Sequence, residues 1–408
     1  MVRIAYPVLV VLVMVCTELC GADWPCWRGP QYDGISRDTS VTLPWKENPK
    51  VLWESPIGKA FSGVTGVADR VYTCGTEDDK QVLFCFNAGT GDVVWKKAFA
   101  EGFRERLGGD GSRATPTVDN VTGSDTGKVY VLGGKGTLLC VDAKTGDDVW
   151  SKKFGGAPKW MYSGSVLIEG DLAIVSPGGD DGGLLALDKA DGEVVWKGGT
   201  GGAAYATPYP FTFEGGRYIV GFLGKKAIAV DAKTGREVWS MPWETKYDVN
   251  AATPIFHDGH LFLSSGYGHG CILVKLAADG DRLSGTTVWE SRAIMNKFQT
   301  CILLDGKLYG ADERNLKCVD FLTGKEAWSL DEVAGDGTRH ATLVLCGGHF
   351  IYFSGNGKLS VAKASPEGFE ATGSTAVLSG RCWTVPTLHN GRLYVRNMEK
   401  LVCLELGG

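Results

Sequence analysis

Positive charge is not in excess in this chain of 408 residues: 42 Lys and Arg stand against 47 Asp and Glu, for a formal net charge of −5. Phosphate backbones are gripped mainly by basic stripes, so this balance sets nucleic acid aside as a partner. The sequence also lacks a Gly-x-Ser-x-Gly elbow and a Walker loop, which removes two common signatures, of hydrolases and of nucleotide-phosphate sites. No Cys-x-x-Cys pair occurs and the six His are scattered, so the convergent ligands of a zinc site are not expected and no metal residue is assigned. Helices look scarce. Long apolar runs are missing apart from one at the start, which is too short and wrongly flanked to span a membrane.

That run, Ile4 to Cys16 behind Met-Val-Arg3, has the charged and apolar regions of a secretory signal, and Cys20-Gly21-Ala22 ends in small residues. Cleavage after Ala22 is expected, giving a signal segment 1–22 and a mature chain in the periplasm or outside the cell with no transmembrane helix. Acylation of Cys16 or Cys20 is the less favoured alternative, because bulky Val15 and Leu19 sit where a lipid-attachment motif wants a small residue.

What the chain does have is 58 Gly and 13 Trp, a composition that points to turn-dense β structure. A phrase recurs: Asp142-Ala-Lys-Thr-Gly146-Asp-Asp-Val-Trp150, Asp188 to Trp196, Asp231 to Trp239 and Asp320 to Trp328, with Asn87 to Trp95 as a further copy. Each reads as a strand end, a tight turn and a new strand. The Asx side chain bonds backbone two residues on, Gly accepts positive φ, and Val-Trp resumes an alternating strand. Upstream of each phrase lies a hairpin such as Ala252 to Leu263, turning at Asp258-Gly259, so one unit is four strands.

Units start near Ser62, Ala114, Ser163, Ala206, Ala252, Gln299, Ala341 and Thr384. The strand-ending tryptophans, from Trp53 to Trp328, recur roughly every 46 residues, which fits a propeller blade. The unit from Thr384 has chain left for three strands, and Val51-Leu52-Trp53 supplies the matching fourth. The expected fold is therefore all-β: an eight-bladed β-propeller of four-stranded antiparallel blades over residues 49–408, its ring closed by an N-terminal strand so that no edge is left unpaired. Residues 23–48 form a lead-in segment.

The Asp-Ala-Lys-Thr-Gly-x-x-Val-Trp phrase resembles the repeat of pyrroloquinoline quinone (PQQ) type propellers, and the lead-in Asp23-Trp24-Pro25-Cys26-Trp27-Arg28-Gly29-Pro30 is similar to the opening of many secreted PQQ-like proteins. Two groups carry this repeat: the PQQ-dependent alcohol dehydrogenases, and the propeller of the outer-membrane β-barrel assembly machine, the BamB type. The resemblance covers nearly the whole mature chain. It implies the fold more strongly than the function, because blades are scaffolds onto which sites are grafted.

Ten of the twelve Cys follow Ala22. Cys85, Cys140, Cys318 and Cys403 all fall two residues before the turn-opening position, where other units carry Ala186, Ala229, Val274 and Ser360. A small buried strand site, with Cys as a small hydrophobe, is expected there. Cys74 and Cys85, on neighbouring strands of one blade, are the best candidates for a disulfide.

The loops entering the inner strands of a propeller converge on one face, and that funnel is the default binding site. The position three before each unit's Pro column gives Phe61, Arg113, Tyr162, Tyr205, Ala251, Phe298, His340 and Trp383, with Trp160, Lys297, Arg339 and Arg381 beside them. The mouth is thus aromatic and locally basic, suited to a small planar anionic ligand whose rings stack while Arg forks grip carboxylates. PQQ is such a molecule. Candidate cofactor residues are Arg113, Trp160, Tyr162, Tyr205, Asn250, Phe298, Arg339, Arg381 and Trp383. Packing of the channel, or a protein-binding rim, explains the same side chains equally well.

A PQQ dehydrogenase would further need a carboxylate base and a calcium held by oxygen ligands; Asp110, Asp180, Asp181, Asp248, Asn250 and Asp312 occupy loops expected on the same face, and Asp110, Asp248 and Asp312 are the candidate catalytic residues. Against this stand two departures from the dehydrogenase pattern: the adjacent Cys-Cys pair packed on the cofactor is missing, and the units are near the minimum length for four strands. The sequence therefore favours a non-catalytic binding or scaffold propeller with a protein partner in the cell envelope. A PQQ-dependent oxidoreductase of reduced size is the alternative, and a carbohydrate or polymer binder a third reading.

Overall fold

The computed structural model describes residues 22–119, 127–333, 335–337 and 339–406. All of the expected signal segment but Ala22 lies outside the described residues. Eight four-stranded antiparallel blades make up the fold, and Gly179–Asp181 is the one helical turn among the described residues. Blade 1 runs outward from the axis through Thr65–Val67, Arg70–Glu77, Lys80–Asn87 and Val93–Glu101. Blade 8 takes three strands from the C-terminal end, Thr387–His389, Arg392–Arg396 and Lys400–Glu405, and its outer strand is Lys50–Pro56, with Trp53 opposite Cys403. The N-terminal strand closes the ring as its sequence implied.

Arg396 reinforces that closure. It is fully buried on the second strand of blade 8, and its guanidinium donates to the blade 1 side: Ala60 O, Ser62 O, Cys74 O and Thr73 Oγ1. Carbonyl acceptors replace a carboxylate here, and burial draws the Arg396 pKa down.

The inner strands begin later than the sequence suggested, at Thr65 rather than Ser62 and at Thr117 rather than Ala114, for example. The residues just before them are extended but bond to the next blade instead of their own. Gly63 N–H donates to Thr115 Oγ1 (3.1 Å), Thr115 N–H to Ser165 Oγ (3.0 Å), Ser165 N–H to Thr207 Oγ1 (3.0 Å), and Thr253 N–H to Thr300 Oγ1 (2.9 Å). The hydroxyl before the Pro column is thus a blade-to-blade tie around the axis, which satisfies buried backbone donors that no ladder reaches.

The recurrent phrase ties the outer part of the ring. In the turn, Asp142 Oδ1 accepts the N–H groups of Lys144 and Thr145, and Gly146 takes φ +76°. That glycine lies on the Trp95 ring of the preceding blade, where an added Cβ would stand 2.7 Å from Cδ2. Trp95 Nε1 and Tyr72 Oη both donate to Ala143 O of the same turn, at 3.0 and 3.2 Å. Trp150 with Tyr130 converge likewise on Lys189 O, and Trp53 with Tyr394 on Ala88 O. A small residue is required between each Tyr and Trp, and Cys85, Cys140 and Cys403 occupy that place, each cross-strand from both rings. Their thiols are buried and pushed up to about 12.

Two expectations about these columns are corrected. In blade 5 the residue opposite Trp289 is Leu273, not Val274, because the bulge of the outer strand falls between them. Cys74 and Cys85 form no disulfide: Cys74 pairs with Leu83 and Cys85 with Tyr72, so the two are offset along the ladder, and all ten Cys of the described residues are free and buried.

The lead-in runs under the ring. Trp24 exchanges backbone bonds with Gly66, Pro25 O accepts Val118 N–H, and Ile35–Ser36 adds a parallel strand to Thr342–Cys346 of blade 7. Asp38 Oδ2 accepts Gly391 N–H of blade 8, and Trp45 packs into the apolar core between blades 7 and 8.

Candidate binding funnel

The lead-in sets the floor of the site. Trp27 reaches the channel and donates from Nε1 to Thr253 Oγ1 (2.9 Å). Next to it Arg28, 4% exposed, donates to the carbonyls of Thr300, Cys301, Tyr32 and Asp33. Above Trp27 a cavity of about 530 Å³ opens to the opposite face.

Two aromatic walls enclose it. On one side Phe61, Trp383 and Phe298 form near-parallel rings, with centroids 5.4 Å apart at 15° and 5.5 Å apart at 27°. His340 continues that wall, 5.2 Å from Phe298 at 17°. On the other side Trp160, Tyr247 and Tyr267 meet edge to face, at 5.9 and 5.1 Å, and Tyr205 lies against Trp160. Lys297 spans the gap, 4.7 Å from the Tyr267 ring and 5.4 Å from the Phe298 ring. These side chains leave from the short segments between an outer strand and the next inner strand, apart from Tyr267, which sits in a turn of blade 5.

Cations dominate the field around His340. Its pKa is pushed down to about 4, by burial first and then by Lys297, Arg339 and Arg381. Arg381 lies 4.6 Å over the Trp383 ring. Arg113 donates from Nη2 to Gly109 O (2.8 Å), while its buried Nη1 makes no hydrogen bond among the described residues. A second cleft of about 850 Å³ adjoins the cavity across His340 and Trp383, and its lining includes Arg314, Arg339, Arg381, Asn356 and Asp331.

Of the side chains singled out from sequence, Phe61, Arg113, Trp160, Tyr205, Ala251, Phe298, His340 and Trp383 line the cavity, and Arg339 and Arg381 line the adjoining cleft. Tyr162 and Asn250 lie elsewhere. Tyr162 is buried between blades 2 and 3 and donates to Pro177 O (2.6 Å). Asn250 is buried between blades 4 and 5, donating to Leu223 O and accepting from Ser265 Oγ. The three candidate carboxylates are not in the lining. Asp312 accepts Arg314 N–H and Asn315 N–H and faces Lys317 at 3.3 Å. Asp110 accepts Glu105 N–H and pairs with Lys59; burial works to raise its pKa, but those donors outweigh it and the net direction is down. Asp248 is exposed at φ +55°. Among the described residues no group of three or more His, Cys, Asp or Glu gathers in a metal-binding arrangement.

Leu107, Tyr247, Val249 and Tyr267 belong to the lining but were not foreseen. They sit in loops without the Pro-column spacing, so no periodic signal marks them. Trp27 was visible in the lead-in motif, but its place beneath the funnel depends on where the lead-in crosses the ring.

Fold and funnel together define the class: an eight-bladed PQQ-like propeller with one closed end and one open aromatic mouth. The family model for outer membrane protein assembly factor BamB matches residues 105–330, more than half of the chain, and the chain belongs to this family. Among curated relatives, BamB of Burkholderia pseudomallei (strain K96243) is 26% identical over 239 residues, 54% of this chain and 57% of that protein. Polyvinylalcohol dehydrogenase of Sphingopyxis sp. (strain 113P3) is 23% identical over 404 residues, 75% of this chain and 58% of that one. Both matches span less than two thirds of the relative's own length. Among solved structures, BamB from Moraxella catarrhalis superposes with a TM-score of 0.64 at 17% identity, covering 88% of this chain and 99% of that one. A quinohemoprotein alcohol dehydrogenase from Pseudomonas putida HK5 gives 0.66 at 14% identity, covering 95% and 80%. At these identities the superpositions establish fold.

Proposed function

We propose that the protein is a non-catalytic binding or scaffold propeller of the cell envelope, which holds a protein partner through its open face. One observation carries this reading: none of the three candidate carboxylates lines the cavity or the cleft, and Asp110 and Asp312 are engaged in turns and ion pairs, whereas apolar and cationic side chains rim the mouth. Leu107 is 71% exposed and Tyr247 is 40% exposed, an apolar and aromatic patch edged by the cations Lys159, Lys246 and Lys297, as an interface core is by its polar rim. Membership of the BamB family supports it. A photo-crosslinker placed at Leu107 or Tyr247 in the native envelope is expected to capture a protein. Capture only from turns of the opposite face, such as Asp305-Gly306, would overturn the assignment.

A PQQ-dependent oxidoreductase is the second reading, favoured by the near-parallel rings of Phe61, Trp383 and Phe298 and by the unpartnered Nη1 of Arg113. Those groups suit the planar, carboxylate-bearing cofactor, with Arg113, Lys297 and Arg381 as its grips. The calcium that such chemistry uses is not matched, since Asp110 and Asp312 are committed to turns, Asp248 lies outside the cavity lining, and no acidic cluster of three gathers among the described residues. Absence of a saturable absorbance change on adding PQQ with calcium would sink this reading.

A further inference from the structure

The cavity and the cleft beside it share a wall of His340 and Trp383 but differ in balance: rings dominate the cavity, with Arg113, Lys159 and Lys297 among them, and Arg and polar groups dominate the cleft. Resting on the scaffold reading, we infer that together they form a two-pocket receptor for an acidic segment of the partner chain: a carboxylate side chain enters the cleft of Arg339 and Arg381, and a neighbouring aromatic or large aliphatic side chain fills the cavity.

The cavity suits an apolar side chain better than a sugar ring. Its aliphatic hydroxyls already serve the ring of blades: Ser163 Oγ donates to Tyr205 O (3.0 Å), Thr207 Oγ1 accepts Ser165 N–H (3.0 Å), and Thr384 Oγ1 donates to Phe61 O (3.3 Å), while Tyr205 Oη accepts Trp160 N–H. A sugar moved there from water would lose hydrogen bonds with few offered in return, a loss that disfavours binding. A side chain such as Leu, with no polar atom, or Trp, with a single N–H, loses far less and gains contact with Phe61, Trp383 and Phe298.

The cleft has the complementary character. Neither Arg339 nor Arg381 pairs with a carboxylate among the described residues, and Asp331 is the one acidic side chain among those lining the cleft. Arg381 is pre-oriented on the face of Trp383, so its fork is held where the two pockets meet.

The test uses the mature protein and a labelled peptide, acetyl-Gly-Glu-Trp-Glu-Gly amide, read by fluorescence anisotropy. Two control peptides replace Glu by Gln, or Trp by Ser. The expected result is at least ten-fold weaker binding of either control, loss of affinity on raising salt, and a ten-fold loss in Arg339→Ala with Arg381→Ala. Both Arg side chains are exposed, and an unchanged melting temperature of the double variant confirms that its fold is intact. Equal binding of the Gln peptide, or no effect of the double variant, would overturn the inference. So would a sulfated glycan fragment that competes more strongly than the peptide. Crosslinking separates this from the broader reading: a partner captured at Leu107, by a protein that does not bind the peptide, retains the scaffold and rejects the two-pocket receptor.

Discussion

The two ends of the central channel are built from the same kinds of residue and put them to different uses. At the closed end Trp24 and Arg28 are buried; Arg28 donates to four carbonyls drawn from the lead-in and from the segment before blade 6. At the open end Trp383 and Arg381 stack on each other at the surface of a cavity, with Arg381 exposed. Tryptophan and arginine act structurally where backbone carbonyls meet them, and at the open end Arg381 is left free for its proposed role in binding. Composition alone does not separate the cases; the supply of buried acceptors does.

If that contrast is right, Arg28→Ala should have the largest effect on stability. It removes donors from buried carbonyls, an expected loss of about 3 kcal/mol in denaturant unfolding. Peptide affinity at the mouth should stay within about two-fold, since sites without shared partners act nearly independently. A parallel loss of affinity would show that floor and mouth are coupled.

Gly146→Ala probes the rim of the closed end. The new Cβ meets Trp95 at 2.7 Å with φ at +76°, whereas Gly215→Ala, at φ +77° with nothing within 4 Å, meets only backbone strain. The first should cost about 2 kcal/mol and the second about 1, so the difference in thermal unfolding reports the blade-to-blade contact. Equal losses would reduce the glycine to a turn residue.

The effect that is smallest at neutral pH, and that emerges only in acid, is the titration of His340 at the mouth. The unfolded chain protonates His near 6.5, but folded His340 resists protonation until about 4. Between those values the unfolded state binds more protons, so the His340 contribution makes stability fall as pH drops from 6.5 to 4 and leaves it unaffected above 6.5. His340→Gln should flatten that part of the stability profile. An unchanged slope would mean that neither burial nor the cations Lys297, Arg339 and Arg381 hold folded His340 in its neutral form.

Much of this was legible in the chain. The Asp-Thr-Gly-Trp phrase marked the turns, Trp53 marked the closing strand, and the Pro-column spacing led to Phe61, Phe298 and Trp383 because every blade repeats the same approach to the axis. The same spacing led to Tyr162, which the structure turns between two blades, since Pro177 O offers its hydroxyl a buried acceptor. Leu107 and Tyr247 had no repeat to reveal them.

By itself the sequence determined the number of blades, the antiparallel hairpins and the closure, because turn chemistry and period-two patterning are local and are repeated along the chain. Only the tertiary structure decided that the phrase also locks neighbouring blades, that Cys74 and Cys85 are offset, and that Trp27 floors the funnel. Those outcomes depend on which distant carbonyl, ring or hydroxyl lies within reach once the ring has closed, and no local pattern encodes that distance.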